Sequence, residues 1–194
     1  MANLTQNRKG AEVNVQPLRT AEEIREFIEG LAIAPNKAER NTLLFKIGIT
    51  TGLRVGDIVK LRIEDVRGRD HFIIREGKTR KVRTVHIDAI AEDIADYLRD
   101  KPAEGWLFPS RKGDGHITTT QAYRIMTDAG KAIGRDDIGT HTMRKTFGYH
   151  YYRRTRDVAT LMSIFNHADQ ATTRRYIGIT DDEIKHSLKD FRLF

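Results

Sequence analysis

No cysteine occurs in the 194 residues. That excludes disulfides, thiol catalysis and thiolate metal sites together. No apolar run approaches the roughly 20 residues of a membrane-spanning helix. The opening residues, Met1-Ala2-Asn3-Leu4-Thr5-Gln6-Asn7, lack the apolar centre of a signal peptide. A cytoplasmic protein is the simplest expectation. Aromatic residues are few, and the one tryptophan, Trp106, lies in Trp106-Leu107-Phe108-Pro109. Beside Leu and Phe it is expected to pack in the core. Internal repeats, low-complexity tracts and internal linkers are also lacking, so one domain is expected.

Charge is what the chain has in abundance. Charged residues make up 31% and the formal net charge is +7. From Thr51 to Ile87 there are ten Lys/Arg against five Asp/Glu, and from His141 to Tyr176 seven against two. Two separated segments thus carry all the excess positive charge. That distribution suits a localised polyanion-binding surface.

Residues 1–16 are polar and aperiodic and read as a disordered tail, with residues 17–194 as the folded domain. Thr20-Ala21-Glu22-Glu23 is a capping-box pattern. It predicts a helix with Ile24, Phe27, Ile28 and Leu31 on one face, broken by Pro35. Leu43, Leu44, Ile47 and Gly48 fit a second helix ending near Thr51-Gly52. Arg54 opens a short helix, and Asp57, one turn on, is expected to hold its guanidinium. The β-rich segments His71–Arg75 and Val82–Ile87 predict an antiparallel hairpin with Lys78 near its tip. Asp88 is expected to cap a helix to about Arg99, and another helix spans about Thr119 to Ile133. Thr140 is expected to cap a helix that places His141 and Arg144 together at its N-terminus, where backbone N–H groups favour a phosphate. Val158, Leu161, Met162 and Phe165 mark a further helix leading into Asn166-His167, and a basic turn precedes Tyr176. Tyr149, Tyr151 and Tyr152 read as helix-packing aromatics.

These residues match the needs of phosphodiester cleavage without a metal-binding motif. Charge gathers on the non-bridging oxygens of the phosphorane, and two guanidiniums, Arg54 and Arg144, suit it. His141 and His167 can bond the phosphate or accept a phenolic proton. Lys78 can protonate the departing sugar oxygen. Tyr176, as nucleophile, would conserve the bond energy in a phosphotyrosyl ester. Lys60, Arg80, Lys81, Lys145, Arg174 and Arg175 are the cations expected to contact the DNA backbone.

With these motifs in this order, the chain resembles the catalytic domain of the tyrosine recombinases, the phage integrase family, over roughly residues 20 to 180. The family's first arginine falls on Arg54 with its acidic neighbour at Asp57. Its hairpin lysine falls on Lys78, its His-x-x-Arg box on His141 and Arg144, its second histidine on His167 and its nucleophile on Tyr176. Two departures stand out: Lys145 follows Arg144 where the family often has histidine, and Phe165-Asn166 replaces the commoner Leu-Gly. The resemblance implies an α+β, mostly helical fold with one small antiparallel sheet. It implies a 3′-phosphotyrosyl intermediate and strand exchange on double-stranded DNA, with no metal and no cofactor. It also implies a homotetramer on DNA, assembled through the C-terminal tail, from protomers that are monomeric or weakly associated when free. Localisation would be cytoplasmic, at the nucleoid of a bacterial or phage-infected cell. The separate N-terminal core-binding domain of most relatives is not expected in this chain.

Ile177, Ile179, Ile184, Leu188, Phe191, Leu193 and Phe194 make an apolar tail. It fits either docking onto a neighbouring protomer or a last helix covering its own core. For the chain as a whole, the alternative to a recombinase is a non-catalytic DNA-binding regulator built on the same fold.

Overall fold

The computed structural model describes residues 15–33, 37–111, 113–179, 188, 189 and 191. Pro35, Ile184, Leu193 and Phe194, used in the sequence reading, lie outside the described residues. Helix α1 (Ala21–Ala32) starts from the capping box: the Thr20 hydroxyl accepts from the Glu23 N–H, and Glu23 accepts from the Thr20 N–H, each at 3.1 Å. Its inner face buries Phe27 and Leu31, with Ile24 and Ile28 against the same core.

Helix α2 (Ala38–Thr51) crosses the middle of the molecule and buries Leu43, Leu44, Phe45 and Ile47. It stops at Gly52, whose φ is 62°. Glycine adopts this left-handed conformation without the strain a β-carbon brings. A β-carbon would also come within 2.5 Å of the Phe147 ring. That contact sets the end of α2 directly against α7 (Thr140–Thr155). Helix α6 (Thr119–Ala132) packs on α1, with Thr118 and Gln121 forming its capping box.

Between these helices lie the short α3 (Val55–Ile58) and α4 (Ile63–Val66), and then the hairpin β1 (His71–Arg75) and β2 (Val82–His86). The two strands are antiparallel, with His71 opposite His86 and Phe72 opposite Val85. Phe72 and Val85 point into the core; the other face, with Ile73, is exposed. A 3-10 turn (Asp88–Ile90) leads into α5 (Ala91–Leu98). The chain then runs through α6, α7, α8 (Val158–Phe165) and α9 (Gln170–Ile177).

Four sequence expectations need correcting. Asp88 does not cap α5 with its side chain. Thr140 is the first residue of α7, not its cap; Gly139 holds that position, and its N–H donates to the Thr142 hydroxyl at 3.1 Å. Trp106 is half-buried rather than core: Arg62 lies 4.9 Å over its ring, His116 packs against its edge, and its indole N–H donates to the Asp114 carbonyl. Residues 15 and 16, expected in the tail, bond to the folded domain. Gln16 donates to the Asp137 carbonyl at 2.9 Å, and Leu18, fully buried, donates to the Thr146 hydroxyl at 2.9 Å.

Two apolar clusters result. The large one joins α1, α2, the hairpin and α6, and takes Met143 from α7. A smaller one gathers Leu161, Phe165 and Ile177, with Phe147, Tyr151, Tyr152 and Tyr176 on its flank. The helix packing expected for Tyr151 and Tyr152 is met there. Gly148 of α7 seats the second cluster: a β-carbon on it would meet Ile177 at 2.6 Å and Phe165 at 2.7 Å. The catalytic candidates lie along the seam between the two clusters.

Candidate active site

Arg144 is a deeply set cation in the seam, 3% exposed on the first turns of α7. Its guanidinium donates to two main-chain carbonyls: Gly52 at the end of α2, and Phe165, at 2.9 Å, at the end of α8. The Phe165 ring also lies 4.3 Å beneath it. Burial lowers the Arg144 pKa to about 10, which leaves it charged at neutral pH.

Arg54 reaches the same Phe165 carbonyl more loosely, at 3.5 Å. Its strong partner is Glu76, with Nη1 donating to Oε2 at 2.6 Å. This overturns the expected Arg54–Asp57 pair. Asp57 instead accepts the Gly77 N–H at 2.9 Å, so its carboxylate pins the hairpin turn. Glu76 is 1% exposed. It also accepts the Thr79 hydroxyl at 2.8 Å and faces Arg83 at 3.7 Å. Burial pushes the Glu76 carboxyl up, but Thr79, Arg54 and Arg83 together hold it below the usual carboxylate range. Arg83 in turn donates to the carbonyls of Ile164 and Thr51. One carboxylate therefore ties the hairpin, Arg54 and the floor under Arg144 into one unit.

Sequence reasoning missed Glu76 and Arg83. A signal existed for Glu76: it is the only acid between Asp70 and Asp88, amid Arg75, Lys78, Arg80, Lys81 and Arg83.

Helix α9 delivers Tyr176. Asp169 caps this helix by accepting from the Thr172 N–H at 2.7 Å, and Gly178 ends it in the left-handed region. The Tyr176 hydroxyl lies 3.0 Å from Nδ1 of His141. Its ring meets Phe165 and His167 edge-on, with centroids 5.3 and 5.2 Å away. His167 bonds the Thr173 hydroxyl through Nδ1 at 3.0 Å. It follows Asn166, which adopts φ 51°, a conformation asparagine tolerates better than most residues.

Burial raises the Tyr176 pKa to about 12, against the pull of Arg144 and Arg54. The phenol keeps its proton at neutral pH, so a nucleophilic role for it would require a base in contact with it. Burial, followed by the charges of Arg144 and Lys145, holds His141 below its ordinary value. A neutral His141 can then accept that proton. Burial likewise lowers His167, with Arg144 and Arg54 acting in the same sense.

A cavity of about 300 Å³ opens over this unit. Arg54, Asp57, Lys60, Lys78, His141 and Arg144 all line it, with Gly56 and Gly77 as its smallest walls. Lys78 stands exposed at the hairpin turn on its rim. Tyr176 joins the cavity through His141. Arg80, Lys81, Arg174 and Arg175 are exposed outside it. Lys145, also expected to contact DNA, has partners within the chain. Its ammonium donates to the Val15 carbonyl at 2.6 Å and sits 5.5 Å over the Tyr176 ring.

Two guanidiniums and the His141 imidazole line this small cavity, and the Tyr176 phenol joins it through His141, a donor set suited to a phosphate ester. The chain belongs to the Phage integrase family, whose model matches residues 19–183. It is 42% identical over 178 residues to the probable integrase/recombinase YoeC of Bacillus subtilis, covering 91% of this chain and 97% of that one. Against tyrosine recombinase XerA of Pyrococcus furiosus the identity is 29% over 175 residues, covering 88% of this chain and 60% of that one. Among solved structures, a XerA recombinase superposes with a TM-score of 0.71 at 25% identity, over 92% of this chain and 66% of that one. A XerH recombinase bound to a palindromic difH substrate, a post-cleavage complex, gives 0.71 at 24%, over 90% and 52%. The fold is that of the tyrosine recombinases, mostly helical with one two-stranded antiparallel sheet among the described residues. The chain spans nearly all of YoeC but only about half to two thirds of the Xer proteins.

Proposed function

We propose that this chain is the catalytic domain of a site-specific DNA recombinase, and that Tyr176 is its nucleophile. The observation that carries the reading is the 3.0 Å bond from His141 to the Tyr176 hydroxyl, beside two fixed guanidiniums. In this mechanism the Tyr176 oxygen attacks the phosphorus and the phenolic proton passes to His141. The bond from phosphorus to the 5′ oxygen breaks, leaving a 3′-phosphotyrosyl ester. Lys78, at the hairpin turn, protonates the departing 5′ oxygen. Arg54 and Arg144 bind the two non-bridging oxygens, and His167 supports them. Attack by a free 5′-hydroxyl on the ester reverses these steps and releases Tyr176.

Double-stranded DNA is the substrate in this reading, in keeping with the DNA-bound relatives and the two cationic segments. Lys60, Arg80, Lys81, Arg174 and Arg175 are exposed cations suited to its backbone. Residues 17–194 act as one catalytic domain, and assembly on DNA is a homotetramer. The tail divides between its two expected roles. Ile177 is fully buried in its own protomer, whereas Leu188 and Phe191 are 58% and 64% exposed and available to a neighbour. Among the described residues no helix is long and apolar enough to cross a membrane. The cytoplasm is the proposed location, because the substrate is there.

A nicked duplex carrying the recombination site tests the reading. Wild-type protein should leave an SDS-stable protein–DNA adduct, and Tyr176→Phe should abolish it while keeping the fold. Binding without any adduct would establish the DNA-binding regulator instead.

A further inference from the structure

A second cavity, of about 320 Å³, lies between the end of α1, the start of α2 and one side of α6. Four cations line it: Lys37, Arg40, Arg111 and Arg124. One acid, Asp128, shares its wall. None of the four cations forms an ion pair among the described residues. Elsewhere the protein does pair its arginines, as with Arg54 and Glu76 or Arg135 and Asp137.

Arg40 is also held in place. Its Nε and Nη2 both donate to Oδ1 of Asn41, at 3.3 and 2.9 Å, and Asn41 is buried. Burial, with the charge of Arg111 in addition, lowers the Arg40 pKa. Like charges gathered around a small concavity repel one another. A cluster of this kind, with one fork fixed in advance, is balanced by an anion from outside.

Position identifies the anion. Gly56 lines the catalytic cavity, and a β-carbon on it would touch the Thr119 methyl at 3.7 Å. Thr119 begins α6, and Arg124 and Asp128 of the same helix face the second cavity. The two sites are therefore one to three turns of a single helix apart. Duplex DNA carries a charge about every 1.7 Å along its axis, so many further phosphates lie within this distance of one bound in the first site.

We propose that this second cavity seats another backbone phosphate of the duplex whose scissile phosphate occupies the catalytic cavity. The inference rests on the recombinase reading for its substrate and adds to it an anchoring site that does no chemistry. Arg40 supplies the preset fork, and Arg111 and Arg124 the accessible charge.

The test is the salt dependence of DNA binding by the full chain and by the double variant Arg111→Gln/Arg124→Gln. Both positions are exposed, so the fold should persist. Each neutralised phosphate contributes a slope of about 0.9 in log affinity against log salt. Between about 50 and 200 mM salt the wild type should therefore lose about 3.5-fold more affinity than the variant. The change should be the same on any sequence, with adduct formation at saturating DNA unaltered. Lys131→Gln removes a cation from α6 outside the cavity and should keep the wild-type slope. Equal slopes for wild type and double variant, or the same change from Lys131→Gln, would overturn the proposal. So would protection of the wild type alone against heat by inorganic phosphate with no difference on DNA, since the cavity would then hold a free anion. Adduct formation is read separately: its absence in the wild type would sink the recombinase reading while leaving the slopes interpretable.

Discussion

Replacing Glu76 with alanine tests what holds the site together. Its carboxylate is Arg54's strong partner at 2.6 Å, and it also faces Arg83 at 3.7 Å. Arg83 keeps two carbonyls after the change, whereas Arg54 keeps only the 3.5 Å contact to Phe165. Removing one partner of a buried ion pair costs about 3–5 kcal/mol, chiefly through the charge left behind. Arg83's remaining bonds place this case near the lower end, at about 3 kcal/mol. With a urea m-value of about 2 kcal/mol/M, the unfolding midpoint should fall by about 1.5 M. Glu76→Gln keeps the shape and an acceptor oxygen, so it should cost about half as much. Combining Glu76→Ala with Arg54→Ala should cost less than the sum of the two, by about 1–3 kcal/mol. Adduct formation should slow by about 100-fold in Glu76→Ala, the effect of a misplacement of about 1 Å. An unchanged urea midpoint, or strict additivity with Arg54→Ala, would refute the idea that Glu76 holds Arg54.

Three further outcomes follow from the seam. His141 and His167 both titrate below their ordinary value in the folded protein, so the unfolded chain binds more protons as pH falls past about 6.5. Urea stability should therefore decline as pH drops from about 6.5 through their lower folded values, and the decline should shrink in His141→Gln. Gly148→Ala would force a methyl into Ile177 and Phe165 and should cost about 1–3 kcal/mol in thermal or urea unfolding, with a loss of adduct greater than the loss of folded protein. Asn166→Gly should be neutral or slightly stabilising, while Asn166→Ala should cost about 1 kcal/mol, because the left-handed conformation at φ 51° penalises a β-carbon.

Local chemistry was well recorded in the sequence. The Thr20–Glu23 capping box, the glycine ending α2 and the hairpin around Lys78 all form as their residues dictate. His141 and Arg144, three residues apart on α7, reach the same cavity. Partners distant in sequence were not recorded. A spacing of three residues, one helical turn, points Arg54 at Asp57, yet Arg54 is the cap of α3 and reaches Glu76, 22 residues away. Trp106 shows the same limit: apolar neighbours suggested the core, but Arg62 covers its ring from 44 residues upstream. Periodicity shows which face of an element is buried but not which charge lies opposite. Main-chain acceptors leave no mark at all, and the carbonyls of Gly52 and Phe165 are what Arg144 binds.

The Phe165 carbonyl gives the site an unusual genetic property. Every amino acid supplies that oxygen, so no single codon change can delete the atom on which Arg144 and Arg54 converge. In a complete mutational scan, position 165 should therefore be filtered by side-chain volume, for the sake of the small cluster, and not by loss of the acceptor. Position 166 should be filtered by backbone conformation, because that residue aims the oxygen. Either arginine can be lost in such a scan, and so can the Glu76 carboxylate that holds Arg54, but the carbonyl that holds Arg144 is built into every sequence that folds this way.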